Sequence, residues 1–338
     1  MPEWVLSLND ELFRFVTRGP AWRHVAAFLP LGLLCGAWLV RWTGRIVREE
    51  SDGVRTLSRA ARCAIVFSTA ALFTGLVLVV MHDTLLGPIR WRTQWITEGG
   101  SINWGHWRLL YHYALIAFLV AATTIDLDQY IIPDRITIPG TIIGIIVATL
   151  LGNMQLMQVW VDWNQLHPVE GPFIPEWIKQ HPHWHGLAFS LAGLATGAGI
   201  TWLARLISRW VLRTEAMGFG DVTLMAMIGS FLGWQPVVFV FLLAPIFGII
   251  TAVTQRILRG RRALPYGPYL SAAAIFVLFT WRWLWEPTRE IFGHWPTLLG
   301  LAAGVAVAMA LLLGLLRLYR AIPVETRSAR RHDKDGPV

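Results

Sequence analysis

Carboxylates are scarce in this chain, 21 Asp and Glu among 338 residues, so their placement is informative. Three lie in one short stretch, Asp126, Asp128 and Asp134. A fourth, Asp221, directly follows Gly218-Phe219-Gly220. Asp126 closes one long apolar run and Asp221 opens another. Ionisable groups at membrane depth are costly and tend to mark function. Two carboxyls that approach each other cannot easily both ionise, so one keeps its proton near neutral pH. The ionised partner takes a proton from a water, and the protonated one donates to the carbonyl under attack. That is peptide-bond hydrolysis with neither metal nor covalent intermediate, by a pair that titrates as a unit. Gly218 and Gly220, lacking side chains, let a substrate backbone come close to the acid. Two plainer readings compete. An Asp at a helix end also serves as a cap or as a solvated interfacial residue. Gly-Phe-Gly is also a fragment of a dinucleotide fingerprint, but it has no third glycine and no strand before it.

The elements that must hold these residues are membrane helices. The chain is 55% hydrophobic and 15% charged, where a water-soluble domain carries about 25% charged residues. Its mean hydropathy is +0.50. Nineteen Trp fit a molecule with two wet interfaces. Apolar runs of about span length occur at 24–41, 63–81, 107–125, 136–156, 187–207, 218–234, 236–255, 268–284 and 296–316. The expectation is an all-α polytopic bundle of about nine spans. The run 218–234 is slightly short and rich in small residues, which suits an interior helix. Pro139 and Pro245 fall inside runs, which membrane helices tolerate.

The net charge of +8 is assigned to residues flanking the spans and not to nucleic acid. If all nine runs span, most of the 29 Lys and Arg share one side with Asp126 and Asp221. The positive-inside bias then puts the N-terminus outside and the C-terminus in the cytoplasm. Arg14, Arg18 and Arg23 argue mildly the other way. Cys35 and Cys63 are too few for a four-ligand zinc site or a disulfide framework. The first 18 residues lack the apolar core of a cleaved signal peptide. The external segment 158–185 is polar and rich in Pro and Trp, and reads as an interfacial loop. Its His181, His183 and His185, with His167, offer imidazoles to a metal, but the spacing across Pro182 does not preform a site. No metal or other cofactor is expected. The tail 321–338 is charged and expected to be disordered.

At these residues a resemblance becomes specific. Met217-Gly218-Phe219-Gly220-Asp221 resembles the Gly-x-Gly-Asp motif of type IV prepilin leader peptidases. Asp126-Leu127-Asp128, then Ile132-Pro133-Asp134 and Ile136-Thr137-Ile138-Pro139-Gly140, is similar to that family's first aspartate motif. Leu264-Pro265-Tyr266-Gly267-Pro268 resembles its Pro-Phe-Gly-Pro segment. The three occur in the family's order and cover roughly 107–284. The resemblance implies an aspartic endopeptidase of the bacterial inner membrane that removes the basic leader from prepilins or pseudopilins on the cytoplasmic side. Asp126 and Asp221 are its implied catalytic pair. Gly218, Gly220, Asp128, Asp134, Gly267 and Pro268 are its positioning or substrate-binding residues. Two-function members also carry two Cys-x-x-Cys pairs and methylate the new terminus. Two cysteines cannot supply those pairs, so the resemblance is to the peptidase without the zinc and methyltransferase domain. Where many members have Lys two residues after the second Asp, this chain has Thr223.

The implied organisation has four parts. They are an N-terminal membrane segment over 1–106 with no assigned role, a catalytic membrane domain over 107–284, an extra span over 285–320 and the tail. A substrate helix is expected to lie in lipid against the small residues Gly229, Ser230 and Gly233. The acid-rich stretch 126–134 is expected to attract the basic leader, with Asp134 as a helix cap being the plainer alternative. Two rival functions use the same residues. A transporter or ion-coupling protein also pairs intramembrane carboxylates, and an inactive assembly scaffold would retain the fold.

Overall fold

The computed structural model describes residues 20–81, 105–152, 154, 156, 176–214, 217–258 and 265–321. Among them every regular element is a helix. The helices are α1 (Ala21–Glu50), α2 (Arg59–Met81), α3 (Gly105–Gln129), α4 (Asp134–Leu151) and α5 (Glu176–Gln180). They continue with α6 (Pro182–Leu212), α7 (Phe219–Leu232), α8 (Trp234–Leu258), α9 (Gly267–Gly293) and α10 (Trp295–Ala321). Seven of them, α1, α2, α3, α4, α6, α8 and α10, are long and apolar enough to cross a membrane. The chain is an all-α integral membrane protein. The expected count of nine differs from this because Phe219–Leu232 and Gly267–Trp281 are apolar but shorter than a span. At 1.5 Å per residue, the 14 residues of α7 cover only about 21 Å of a hydrocarbon core about 30 Å thick.

Local chemistry sets the breaks. Pro133 precedes α4, and Pro182 occupies the first position of α6, where its missing N–H costs nothing. Gly233 separates α7 from α8 with φ +84, and its N–H donates to the Gly229 carbonyl at 2.8 Å. Only glycine adopts that left-handed turn without strain. The start of α6 at Pro182 also revises the expected interfacial loop 158–185, whose last residues are helical. There the His183 Nδ1 lies 2.9 Å from the Thr149 carbonyl, and His185 is buried against the Trp177 ring. The segment 1–18, His167 and the tail beyond 321 lie outside the described residues.

The chain divides into two compact units. One comprises Met1–Trp202 with Phe219–Glu290, the other Leu203–Gly218 with Ile291–Val338. In the first, α3 is the central helix. Of its apolar window 72% is buried, against 44% or less in the other spans. The Tyr111 hydroxyl on α3 sits 3.1 Å from the Gly144 carbonyl of α4 and 3.0 Å from the Ser230 carbonyl of α7. Ser190 on α6 donates to the same Ser230 carbonyl at 2.8 Å. Tyr113 on α3 donates to the Phe73 carbonyl of α2 and stacks on that ring at 4.0 Å. Buried hydroxyls that find carbonyls on neighbouring helices fix the rotation of α3 where the hydrophobic effect between membrane helices is weak. The small residues expected to receive a substrate helix have other partners. Gly229 meets the Gly193 backbone of α6, Ser230 is buried, and Gly233 lies under the Phe189 ring. In the second unit the Arg205 guanidinium donates to the Met217 carbonyl, and Arg317 donates to the Val211 carbonyl.

Candidate active site

Asp126 sits in the last turn of α3, and Asp221 in the first turn of α7. Both are buried, at 3% and 7% exposure. They come within electrostatic reach of each other. Three further residues shape the packing around them, Gly220 on α7 itself and Gly267 and Ile132 from two other segments. The backbone N–H of Gly267, the first residue of α9, donates to Asp126 Oδ2 at 3.1 Å. A side chain at 267 would run into that carboxyl oxygen and would come 2.9 Å from Ile132 Cδ1. A side chain at 220 would meet Ile132 Cβ at 3.0 Å. Ile132, in the turn joining α3 to α4, is therefore a wedge between Gly220 and Gly267. Its position sets how closely the three chain segments approach.

Tyr266 lies beside this centre. Burial first, and then the charge of Asp221, push its phenol above the usual range. Its ring also packs edge-on against Tyr269, with centroids 6.2 Å apart. The sequence supplied Tyr266 only as part of a motif, and the electrostatic link to Asp221 is visible only in the fold. The Thr223 hydroxyl, two residues after Asp221, donates to the Gly220 carbonyl at 3.0 Å.

The remaining expected residues are arranged differently. Asp128 and Asp134 are exposed. Asp134 is the first residue of α4, whose cap position is Pro133 with no side-chain capping bond. The cap reading of Asp134 therefore lacks its hydrogen bond, although an acid in a first turn still suits the helix dipole. Pro268 stands in the first turn of α9, where proline is tolerated. Gly218 belongs to the second unit and follows the Met217 carbonyl held by Arg205. Among the described residues no three His, Cys, Asp or Glu side chains gather as a metal-ligand set. Cys35 and Cys63 are both free thiols.

Fold and site define a polytopic helical membrane protein with two buried, interacting carboxyls at helix ends. Residues 113–164 and 177–253 match the model of the Type IV leader peptidase family, and the matched stretches include both Asp126 and Asp221. The motif resemblance and the family match agree. The match ends before Gly267 and Pro268. A prepilin leader peptidase/N-methyltransferase from Neisseria gonorrhoeae is 25% identical over 63% of this chain and 63% of its own length. One of the same description from Aeromonas salmonicida (strain A449) is 29% identical over 51% of this chain and 50% of its own. A type 4 prepilin-like proteins leader peptide-processing enzyme from Escherichia coli O78:H11 is 32% identical over 49% of each. The chain thus spans between about half and 63% of these relatives' lengths. No solved structure matches it.

Proposed function

We propose that the protein is an aspartic endopeptidase that removes the basic leader from type IV prepilins or pseudopilins. The observation that carries this reading is the approach of Asp126 and Asp221, both buried, from helices that match a leader peptidase family. One carboxylate draws a proton from a water as its oxygen attacks the scissile carbonyl carbon. The other carboxyl, protonated, hydrogen-bonds the carbonyl oxygen and passes its proton there. The tetrahedral intermediate then collapses. Its C–N bond breaks as one hydroxyl of the gem-diol returns its proton to the ionised carboxylate and the nitrogen leaves with the proton of the other carboxyl, so the two end sharing one proton as they began. Gly267 N–H fixes one carboxyl oxygen of Asp126, which supports a single geometry for the pair. Gly220 keeps the approach to Asp221 narrow and free of side chains.

The proposal covers leader cleavage alone; Cys35 and Cys63 do not make the two Cys-x-x-Cys pairs of the two-function members. The proposed location is a bacterial inner membrane with the pair on the cytoplasmic face, C-terminus inside. The Lys and Arg asymmetry supports that orientation. The deciding experiment presents candidate prepilins to membranes containing this protein or its Asp221→Ala variant. Cleavage by the first alone is expected. Equal cleavage by both, or by neither across a panel of prepilins, rejects the reading in favour of ion coupling or scaffolding. A reporter fused after Arg262 should read cytoplasmic and one within 168–181 external. The reverse would put the pair out of reach of an unprocessed leader.

A further inference from the structure

The turn that follows Asp126 is poorly suited to hold itself. The last carbonyls of α3 have no partners within the helix. Tyr130 ends the helix with φ +60, and its N–H donates to the Asp126 carbonyl at 2.9 Å. Tyrosine is strained in that left-handed conformation, where glycine or asparagine is usual. Support comes from the N-terminal segment, which carries none of the three motifs. Arg55, in the connection between α1 and α2, donates from Nη1 to the Asp128 carbonyl at 3.1 Å. The Gln129 amide donates to the Val47 carbonyl at 3.3 Å. The Ser51 hydroxyl donates to that same carbonyl at 2.6 Å and accepts the Arg55 N–H at 3.0 Å. On the far side of the turn, Arg135 pairs with Glu49 and lies 3.9 Å from Glu50. Both ends of the 130–133 turn are thus tied to the end of α1 and its following loop, and the turn carries Ile132 between Gly220 and Gly267.

We propose that the segment 47–55 is a clamp on the turn after Asp126, with Arg55, Ser51 and Gln129 as positioning residues for the carboxyl pair. Its bearing on catalysis rests on the peptidase reading. None of the three is assigned contact with substrate. They act through the Asp128 carbonyl and the Val47 carbonyl, hence through the placement of Asp126 and Ile132. Misplacing reacting groups by about 1 Å can cost on the order of 100-fold in rate. Loss of one of several ties should cost less.

The test uses the full chain in lipid nanodiscs, as wild type, Arg55→Ala, Arg55→Lys and Gln129→Ala. Cleavage kinetics on a membrane-inserted prepilin and amide hydrogen exchange are both measured. Arg55→Ala is expected to lower kcat about 10-fold with KM within about 2-fold, the signature of a group that acts on chemistry and not on binding. The Tyr130 and Gly267 amides should exchange about 10-fold faster, and Arg55→Lys should regain most of both. Gln129→Ala should give a smaller change of the same kind. Unchanged exchange at Tyr130 overturns the clamp, as does a defect confined to KM or an Arg55→Lys as impaired as Arg55→Ala. If wild type cleaves nothing, the peptidase reading fails while exchange still decides the clamp. If Arg55→Ala is lost from membranes, Arg55→Lys and Gln129→Ala at normal abundance carry the same comparison.

Discussion

Asp126 and Asp128 stand two residues apart on the same helix and meet opposite surroundings. Asp126 is buried, bonded by the Gly267 N–H, and within electrostatic reach of Asp221. Asp128 is exposed and contributes its backbone carbonyl, which Arg55 takes. Asp134, beyond the turn, is exposed as well. Two residues along a helix is a rotation of about 200°, enough to exchange the protein interior for water. An acid-rich stretch therefore contains two populations. One carboxyl is buried, bonded by a backbone N–H and close to a second carboxyl, in surroundings where charge is expensive. The others are solvated, with interactions weakened by water and salt.

The largest effect should come from breaking the buried member of the comparison. Asp126→Asn and Asp221→Asn keep shape but cannot shuttle a proton, so each should reduce cleavage by about 1,000-fold or more. Membrane abundance should stay near wild type, as read by immunoblot of the same membranes. Full activity in either variant would end the peptidase assignment. Next is Gly267→Ala, whose methyl would press on the Asp126 carboxyl and Ile132. A loss of about 10- to 100-fold in kcat is expected from that displacement. An unimpaired Gly267→Ala would mean that α9 shifts freely and that its N–H does not fix Asp126.

Smaller effects belong to the exposed acids. Asp134→Asn should raise KM for a basic-leader substrate about 3-fold at low salt, since an exposed pair is worth only ~0.2–1 kcal/mol. The difference from wild type should shrink as salt shortens the screening length to about 10 Å at 0.1 M. A salt-independent defect, or one lying wholly in abundance, would assign Asp134 to the start of α4 instead. Asp128→Asn should stay within about 2-fold of wild type in kcat and KM, because its side chain is exposed and its carbonyl is unchanged. An inactive Asp128→Asn would place that side chain in the chemistry and erase the contrast.

The sequence revealed the two carboxyls because Asp126 and Asp221 each interrupt the edge of an apolar run. It revealed Gly220 and Gly267 as parts of short motifs, but not the reason for them. That reason is Ile132, an ordinary aliphatic residue whose wedge position depends on three segments distant in the chain. Arg55 was legible only as one more basic residue near a span, since nothing local encodes a bond to a carbonyl 73 residues away. Gly229, Ser230 and Gly233 were read correctly as residues of close helix packing and assigned the wrong partner. Small-residue spacing states that something approaches closely. It does not distinguish a helix of the same chain from a substrate. The expected nine spans counted apolar length alone, whereas α7 has only 14 residues and stops at the left-handed turn of Gly233.

The position of Gly267 in the chain carries a consequence for synthesis. Translation delivers Asp126 first, then Asp221, and the donor that fixes Asp126 only at the start of α9. A nascent chain that has inserted α7 already possesses both acids, yet nothing from α9 holds either one. The 14-residue α7 is itself too short to cross the bilayer and packs against α4 and α6, which both precede it in the chain. The pair is thus assembled in the order of the chain, and its final geometry waits for the last helix of the first unit.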